Sequence, residues 1–88
     1  MTCGLCGRDV DALTVHHLVP RSRLKKGDPV PTVSICSACH RQIHALFTNH
    51  ELADTYNTVE RLRDEPRMER FIRWVRKQDP NKRIAVRR

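Results

Sequence analysis

The stretch Cys36-Ser37-Ala38-Cys39-His40-Arg41-Gln42-Ile43-His44 decides how this chain folds and what its site contains. Its two cysteines have the C-x-x-C spacing of a metal-binding knuckle. Its two histidines are four residues apart, so on a helix they lie on one face. Apolar residues recur at helical spacing beside them. The stretch therefore predicts a knuckle followed by a short helix from about His40 to Phe47, with Asn49 as its C-terminal cap.

A second C-x-x-C pair, Cys3 and Cys6, precedes this stretch, and 29 residues separate the two pairs. Two such knuckles can present four sulfurs tetrahedrally, as a closed structural Zn²⁺ site requires. A redox C-x-x-C would call for a βαβ context, which is absent, and would need only one pair. A Cys₂His₂ finger would need ligands from the consecutive residues Cys39 and His40 and would leave the first pair unused. The spacing favours one zinc ion held by all four cysteines.

The composition indicates a small cytoplasmic protein that needs such a metal site. The chain has 88 residues, of which 39% are hydrophobic and 5% aromatic, so its core is thin. Neither a signal peptide nor an apolar run of membrane-spanning length is visible. Thiols stay reduced in the cytoplasm, where paired cysteines more often bind metal than form disulfides.

The charge distribution predicts a polyanionic partner, with DNA the leading candidate. The net charge is +7, and residues 67–88 supply all of it through nine Arg or Lys and two acids, while residues 1–66 are balanced. Such an asymmetric distribution of positive charge favours nucleic acid as the binding partner. A solvated basic tail is the competing interpretation.

The chain between and after the knuckles predicts a small α+β fold in one domain. Residues 13–18 are expected to form a strand ended by Pro20, and residues 32–35 a returning strand, which together make a hairpin. Residues 52–56 suggest a helical turn, Thr58 can cap a helix, and Pro66 can begin the last one. That last helix has an apolar face of Met68, Phe71, Ile72 and Val75. The predicted organisation is a zinc-stapled core over residues 1–50, C-terminal helices over 51–80 and a basic tail over 81–88.

The remaining histidines suggest a second, catalytic metal site. Imidazoles converging on one cation with open positions make a catalytic site rather than a closed one. The combination of His16-His17-Leu18-Val19-Pro20 with the Cys36–His44 stretch resembles the HNH nucleases, which have a ββα-metal core. The resemblance covers roughly residues 3–50.

The resemblance implies a role for each residue that matches the family's motif. His16, His40 and His44 would bind a divalent metal ion, and His17 would be the general base of a hydrolysis that leaves 5′-phosphate and 3′-hydroxyl ends. In that family a middle Asn holds the loop that carries the base through side-chain hydrogen bonds to the backbone. Its position falls on Pro31, whose side chain cannot make such a bond, so the hydroxyl of Thr32 is predicted to replace it. Because strand residues alternate, His16 and His17 can serve one site only if the strand ends or bulges there.

We therefore expect a metal-dependent DNA endonuclease that nicks with low sequence specificity. The catalytic ion would be Mn²⁺, Mg²⁺, Co²⁺, Ni²⁺ or Zn²⁺, and the protein could act as a homodimer or within a larger phage or restriction-type assembly. Predicted phosphate contacts come from Arg21, Arg23, Lys25, Lys26 and Arg41. The alternative is a non-catalytic zinc module that binds DNA or a protein. An RNA-binding ribbon is disfavoured because the sequence lacks the aromatic stacking surface typical of proteins that bind single strands.

Overall fold

The computed structural model describes residues 1–19, 25–27, 31–80 and 82. In chain order its elements are β1 (Thr14–His17), β2 (Thr32–Ile35), α1 (Ser37–Leu46), α2 (Asn49–Asp54), α3 (Val59–Asp64) and α4 (Pro66–Val75). This is the predicted small α+β fold. The proposed tail over 81–88 lies outside the described residues except for Lys82.

β1 and β2 form the predicted antiparallel hairpin with a regular register. Thr14 pairs with Ile35 at one end and His17 with Thr32 at the other, residue for residue. The pairing leaves no bulge in β1, and the strand ends at His17. Because side chains alternate along a strand, Thr14 and His16 share one face. His16 on that face is buried, whereas Val15 on the other is 56% exposed.

α1 begins and ends differently from the prediction. It starts at Ser37 with Cys36 as its N-cap, because the second knuckle itself forms the first helical turn. Phe47, with extended backbone angles, ends it, so the prediction that Asn49 caps it was wrong. Asn49 instead begins α2, where Thr48 and Glu51 form a reciprocal capping box, a stronger local signal than an isolated asparagine.

The helical turn predicted for residues 52–56 is α2, which begins earlier, at Asn49, whereas α3 and α4 start where their caps predicted. The Thr58 hydroxyl accepts a hydrogen bond from the Arg61 N–H at the start of α3. Pro66 occupies the first turn of α4, and the Glu65 carboxylate accepts from two N–H groups of that turn. Met68, Ile72 and Val75 are buried and Phe71 is partly buried, so the predicted apolar face does pack into the core. α4 contacts α1 and α3, so it packs against the helix that carries His40 and His44.

Candidate metal centres

The four cysteines meet in one buried cluster. The thiol sulfurs of Cys3, Cys6, Cys36 and Cys39 all lie within 4.8 Å of one another, and none is in a disulfide. The Cys6 and Cys36 sulfurs are 3.8 Å apart, which equals the edge of about 3.8 Å expected for a tetrahedron with Zn–S bonds of about 2.3 Å. The donor set, its burial and this separation support a closed structural zinc site.

The first knuckle is shaped to hold its sulfurs against β2. A Cβ on Gly4 would lie 2.7 Å from the Val33 side chain and 2.9 Å from the Ser34 carbonyl oxygen, so only glycine fits there. Gly7 has a φ of +81°, which side-chain-bearing residues rarely adopt. The knuckle therefore needs both glycines, for two different reasons.

The Cys3 sulfur accepts hydrogen bonds from three backbone N–H groups, those of Leu5, Cys6 and Cys36, at 3.3–3.4 Å. N–H groups that donate to a sulfur stabilise negative charge on it. A thiolate is the form that binds zinc.

A buried arginine sits beside the cysteine cluster. Arg8 is only 8% exposed, and its guanidinium donates to the Cys36 sulfur and to the Asp79 carbonyl oxygen, each at 3.4 Å. Burial alone would lower the pKa of Arg8, but the Cys36 and Cys6 thiols hold it above its ordinary value. Four thiolates around one Zn²⁺ carry a net negative charge, which the Arg8 guanidinium offsets where water cannot.

We predict that Arg8→Met weakens zinc binding by about 10–100-fold, the usual cost of losing a partner of a metal ligand. Methionine keeps the apolar volume but removes the charge and the hydrogen bond to sulfur. Competition with a chromophoric chelator measures the effect. Arg63→Met, which removes an equal charge from an exposed position on α3, is the control. Equal zinc affinities in the two variants would contradict this role.

Three histidines form the second cluster, and they are the three that the resemblance to HNH nucleases implied as metal ligands. Ring nitrogens of His16, His40 and His44 lie within 4.8 Å of one another. The ring of His16 is centred 5.3 Å from each of the other two rings, which are 5.1 Å apart. β1 contributes His16 from its buried face, and α1 contributes the other two from successive turns.

The cluster has the properties that a divalent metal ion requires. His16 is 2% exposed, and its Nε2 atom finds no hydrogen-bond partner among the described residues. Such buried polar atoms rarely go unpaired without a reason. Burial and the charges of His40, His44 and His17 lower the pKa of His16 to about 4. The pKa of His40 is lowered as well, mainly by burial and then by the charges of His44 and His17. Neutral imidazole is the form that binds metal, so these residues fit an ion.

Unlike the cysteine cluster, the histidine cluster is open on one side. His40 is half-buried and His44 exposed. A pocket of about 310 Å³ reaches both, lined also by Thr14, Ser37 and Arg41. The exposed ring of His44 therefore leaves the histidine cluster accessible to solvent, whereas all four cysteines are buried.

His17, the predicted base, lies next to the histidine cluster but outside the set that could share an ion. The half-buried ring ends β1 and is close enough to affect the pKa of both His16 and His40. Thr32 pairs with it across the hairpin. The catalytic roles of His17 and Thr32 stay predictions.

Pro31, at the position of the family's asparagine, still holds the segment after His17. Its carbonyl oxygen accepts a hydrogen bond from the Leu18 N–H at 2.9 Å. Proline lacks a donor but keeps this acceptor. Any residue at position 31 would offer this carbonyl oxygen, so the contact extends the pairing of β1 and β2 beyond His17 and Thr32 and does not replace an asparagine side chain.

The predicted phosphate-binding residues divide into three groups. Arg41 lies on α1 and lines the same pocket as the histidines. Lys25 and Lys26 are exposed in the connection between the strands. Arg21 and Arg23 lie outside the described residues.

Comparison with known proteins agrees with this geometry. A two-stranded hairpin that leads into a histidine-bearing helix, with a four-cysteine cluster at its base, is a ββα-metal core. The family model for HNH endonuclease matches residues 3–46. The chain belongs to the HNH endonuclease family, and this membership points to a nuclease-type function.

A relative in Bacillus subtilis (strain 168), described as the uncharacterized protein YisB, is 46% identical over 86 residues, covering 98% of this chain and 84% of that protein. No solved structure gave a significant match. Among the described residues, no helix has the length and apolar character needed to cross a membrane.

Proposed function

We propose that this protein is a metal-dependent DNA endonuclease that nicks with little sequence preference. The observation that carries the proposal is the cluster of His16, His40 and His44, whose ring nitrogens lie within 4.8 Å of one another. The Nε2 atom of His16 is buried there and has no hydrogen-bond partner among the described residues. A non-catalytic module has no need of that arrangement. The proposal assigns metal binding to His16, His40 and His44, and zinc binding to the four cysteines.

His17 acts as the general base in this proposal. It adjoins the cluster without belonging to it, so its ring stays available for a proton. A neutral imidazole ring can accept a proton from water, and histidine is the most common general base in enzymes. A divalent ion, when bound, supplies positive charge that stabilises the phosphate and its leaving oxygen. The Pro31–Leu18 hydrogen bond keeps the segment that follows the base in place.

The charge distribution supports DNA as the substrate. Arg41 lies beside the histidines on α1, and the net charge of +7 comes from residues 67–88, which include α4. Contacts from Arg and Lys to phosphates bring affinity but little sequence information. Cutting both strands would then need a second copy or a partner assembly.

Metal preference follows from the ligands. Three imidazoles are softer donors than the oxygen ligands that Mg²⁺ prefers. Mn²⁺, Co²⁺ or Ni²⁺ should therefore support nicking at least as well as Mg²⁺ does. Initial rates on supercoiled plasmid at equal, saturating concentrations of each ion test this expectation, and a clear advantage of Mg²⁺ would count against a three-histidine site.

The competing function is a zinc module that binds DNA or a protein without cutting. It shares the cysteine site and the basic charge with the nuclease, but it does not need an exchangeable second ion. Salt-sensitive binding of plasmid with no nicking in any of the four ions would favour the module. Nicking that begins when an ion is added and stops when it is chelated, with zinc retained, would exclude it.

A further inference from the structure

Thr14 contacts a member of the histidine cluster, although Thr14 itself lies outside both the His16–Pro20 segment and the Cys36–His44 stretch. Its hydroxyl oxygen is 2.8 Å from the Nδ1 atom of His40 and 3.1 Å from the carbonyl oxygen of Ile35. Thr14 precedes His16 by two residues on the same face of β1, which is the face toward α1. Ile35 is its partner in the strand register, so the hairpin itself fixes where this hydroxyl lies.

The two contacts determine which way the proton points. A threonine hydroxyl has one hydrogen to donate and two lone pairs with which to accept. The Ile35 carbonyl oxygen can only accept, so the hydroxyl hydrogen is directed to it. The hydroxyl oxygen then accepts from His40, which must carry its proton on Nδ1. In a neutral imidazole this leaves the lone pair on Nε2.

We infer that Thr14 is a positioning residue, which holds His40 as the Nδ1–H tautomer and presents its Nε2 lone pair to the ion shared with His16 and His44. Metal-binding histidines commonly donate their other ring N–H to such a partner, which fixes both tautomer and ring orientation. The inference rests on the proposed function, because it requires the histidine cluster to bind an ion.

The test compares Thr14→Val, which keeps the β-branched shape but cannot hydrogen-bond, with Thr14→Ser, which keeps the hydroxyl. The matched control is Ser34→Val, which removes an exposed hydroxyl from β2 in the same hairpin. All proteins carry zinc in the cysteine site, and their zinc content and amide spectra verify the fold. The first readout is the His40 tautomer, from ¹⁵N imidazole shifts at alkaline pH without a second ion. The second is the affinity for added Ni²⁺ by titration calorimetry.

Wild type, Thr14→Ser and Ser34→Val are expected to show the Nδ1–H tautomer and similar Ni²⁺ affinities. Thr14→Val should lose the tautomer preference and bind Ni²⁺ about 10–100-fold more weakly. Tight Ni²⁺ binding by wild type with His40 as the Nε2–H tautomer, or unchanged binding by Thr14→Val, would overturn the role of Thr14 alone. The expected tautomer in a wild type that binds no second ion would overturn the proposed metal site, and with it this role.

Discussion

Replacing Cys39 by serine should unfold most of this protein. Cys39 is fully buried at the start of the histidine helix, and a serine there cannot complete a four-sulfur site. Structural zinc contributes about 10–16 kcal/mol of apparent binding free energy in small zinc domains. The total stability of a typical domain is about 5–15 kcal/mol. Because an 88-residue chain with 39% hydrophobic residues has little core to compensate, loss of the site should remove most of its net stability.

Far-UV circular dichroism together with zinc content measures this effect. Ser37→Ala is the matched control, since it changes an exposed residue of the same knuckle and leaves all four sulfurs. A strong chelator should unfold the wild type in the same way, and added zinc should restore it. A Cys39→Ser protein that keeps its helical signal and melts near the wild-type temperature would show that the cysteine site is not what stabilises the fold.

The second large effect is expected from His17→Ala, which should lower the nicking rate by about 10²–10⁴-fold, the usual contribution of a general base. The protein should remain folded and keep both metal sites, because His17 belongs to neither cluster. Its position at the end of β1 is half-buried, so alanine costs little packing. Single-turnover plasmid nicking in saturating Mn²⁺ measures the rate.

His50→Ala is the matched control for this substitution. His50 is an exposed histidine on α2 that pairs with Asp54 at 2.8 Å and has no part in the proposed chemistry, so its loss should leave the rate within about twofold. A His17→Ala protein that nicks at the wild-type rate would remove His17 from the mechanism. Loss of Ni²⁺ or Mn²⁺ binding in this variant would mean that His17 is a ligand instead.

The cysteine and histidine clusters could be predicted because short spacings encode them. Two C-x-x-C pairs can each turn sulfurs toward a shared point, and His40 and His44 at i and i+4 must share a helix face. The choice of His16 as the third residue came from the resemblance to HNH nucleases, because spacing alone did not distinguish it from His17. The resemblance to HNH nucleases indicated how the knuckles, the hairpin and the histidine helix follow one another. The family match over residues 3–46 confirmed that resemblance.

The supporting residues could not be predicted because they act across long separations. Arg8 reaches Cys36 over 28 positions and Asp79 over 71, and no local pattern encodes either contact. Thr14 had a weak signal, since it lies two residues from His16 and so shares its face. The Asn49 prediction failed for a different reason: the Thr48–Glu51 capping box determined the start of α2 and outweighed the asparagine.

The most direct test of the central claim is nicking of supercoiled plasmid by protein that holds one zinc ion per chain, measured before and after Mn²⁺ is added. We predict no nicking before addition, and afterwards open-circular DNA with 5′-phosphate and 3′-hydroxyl ends at the cut. Equal nicking in both conditions, or none in either by protein that still binds the plasmid, would contradict a catalytic metal site at His16, His40 and His44.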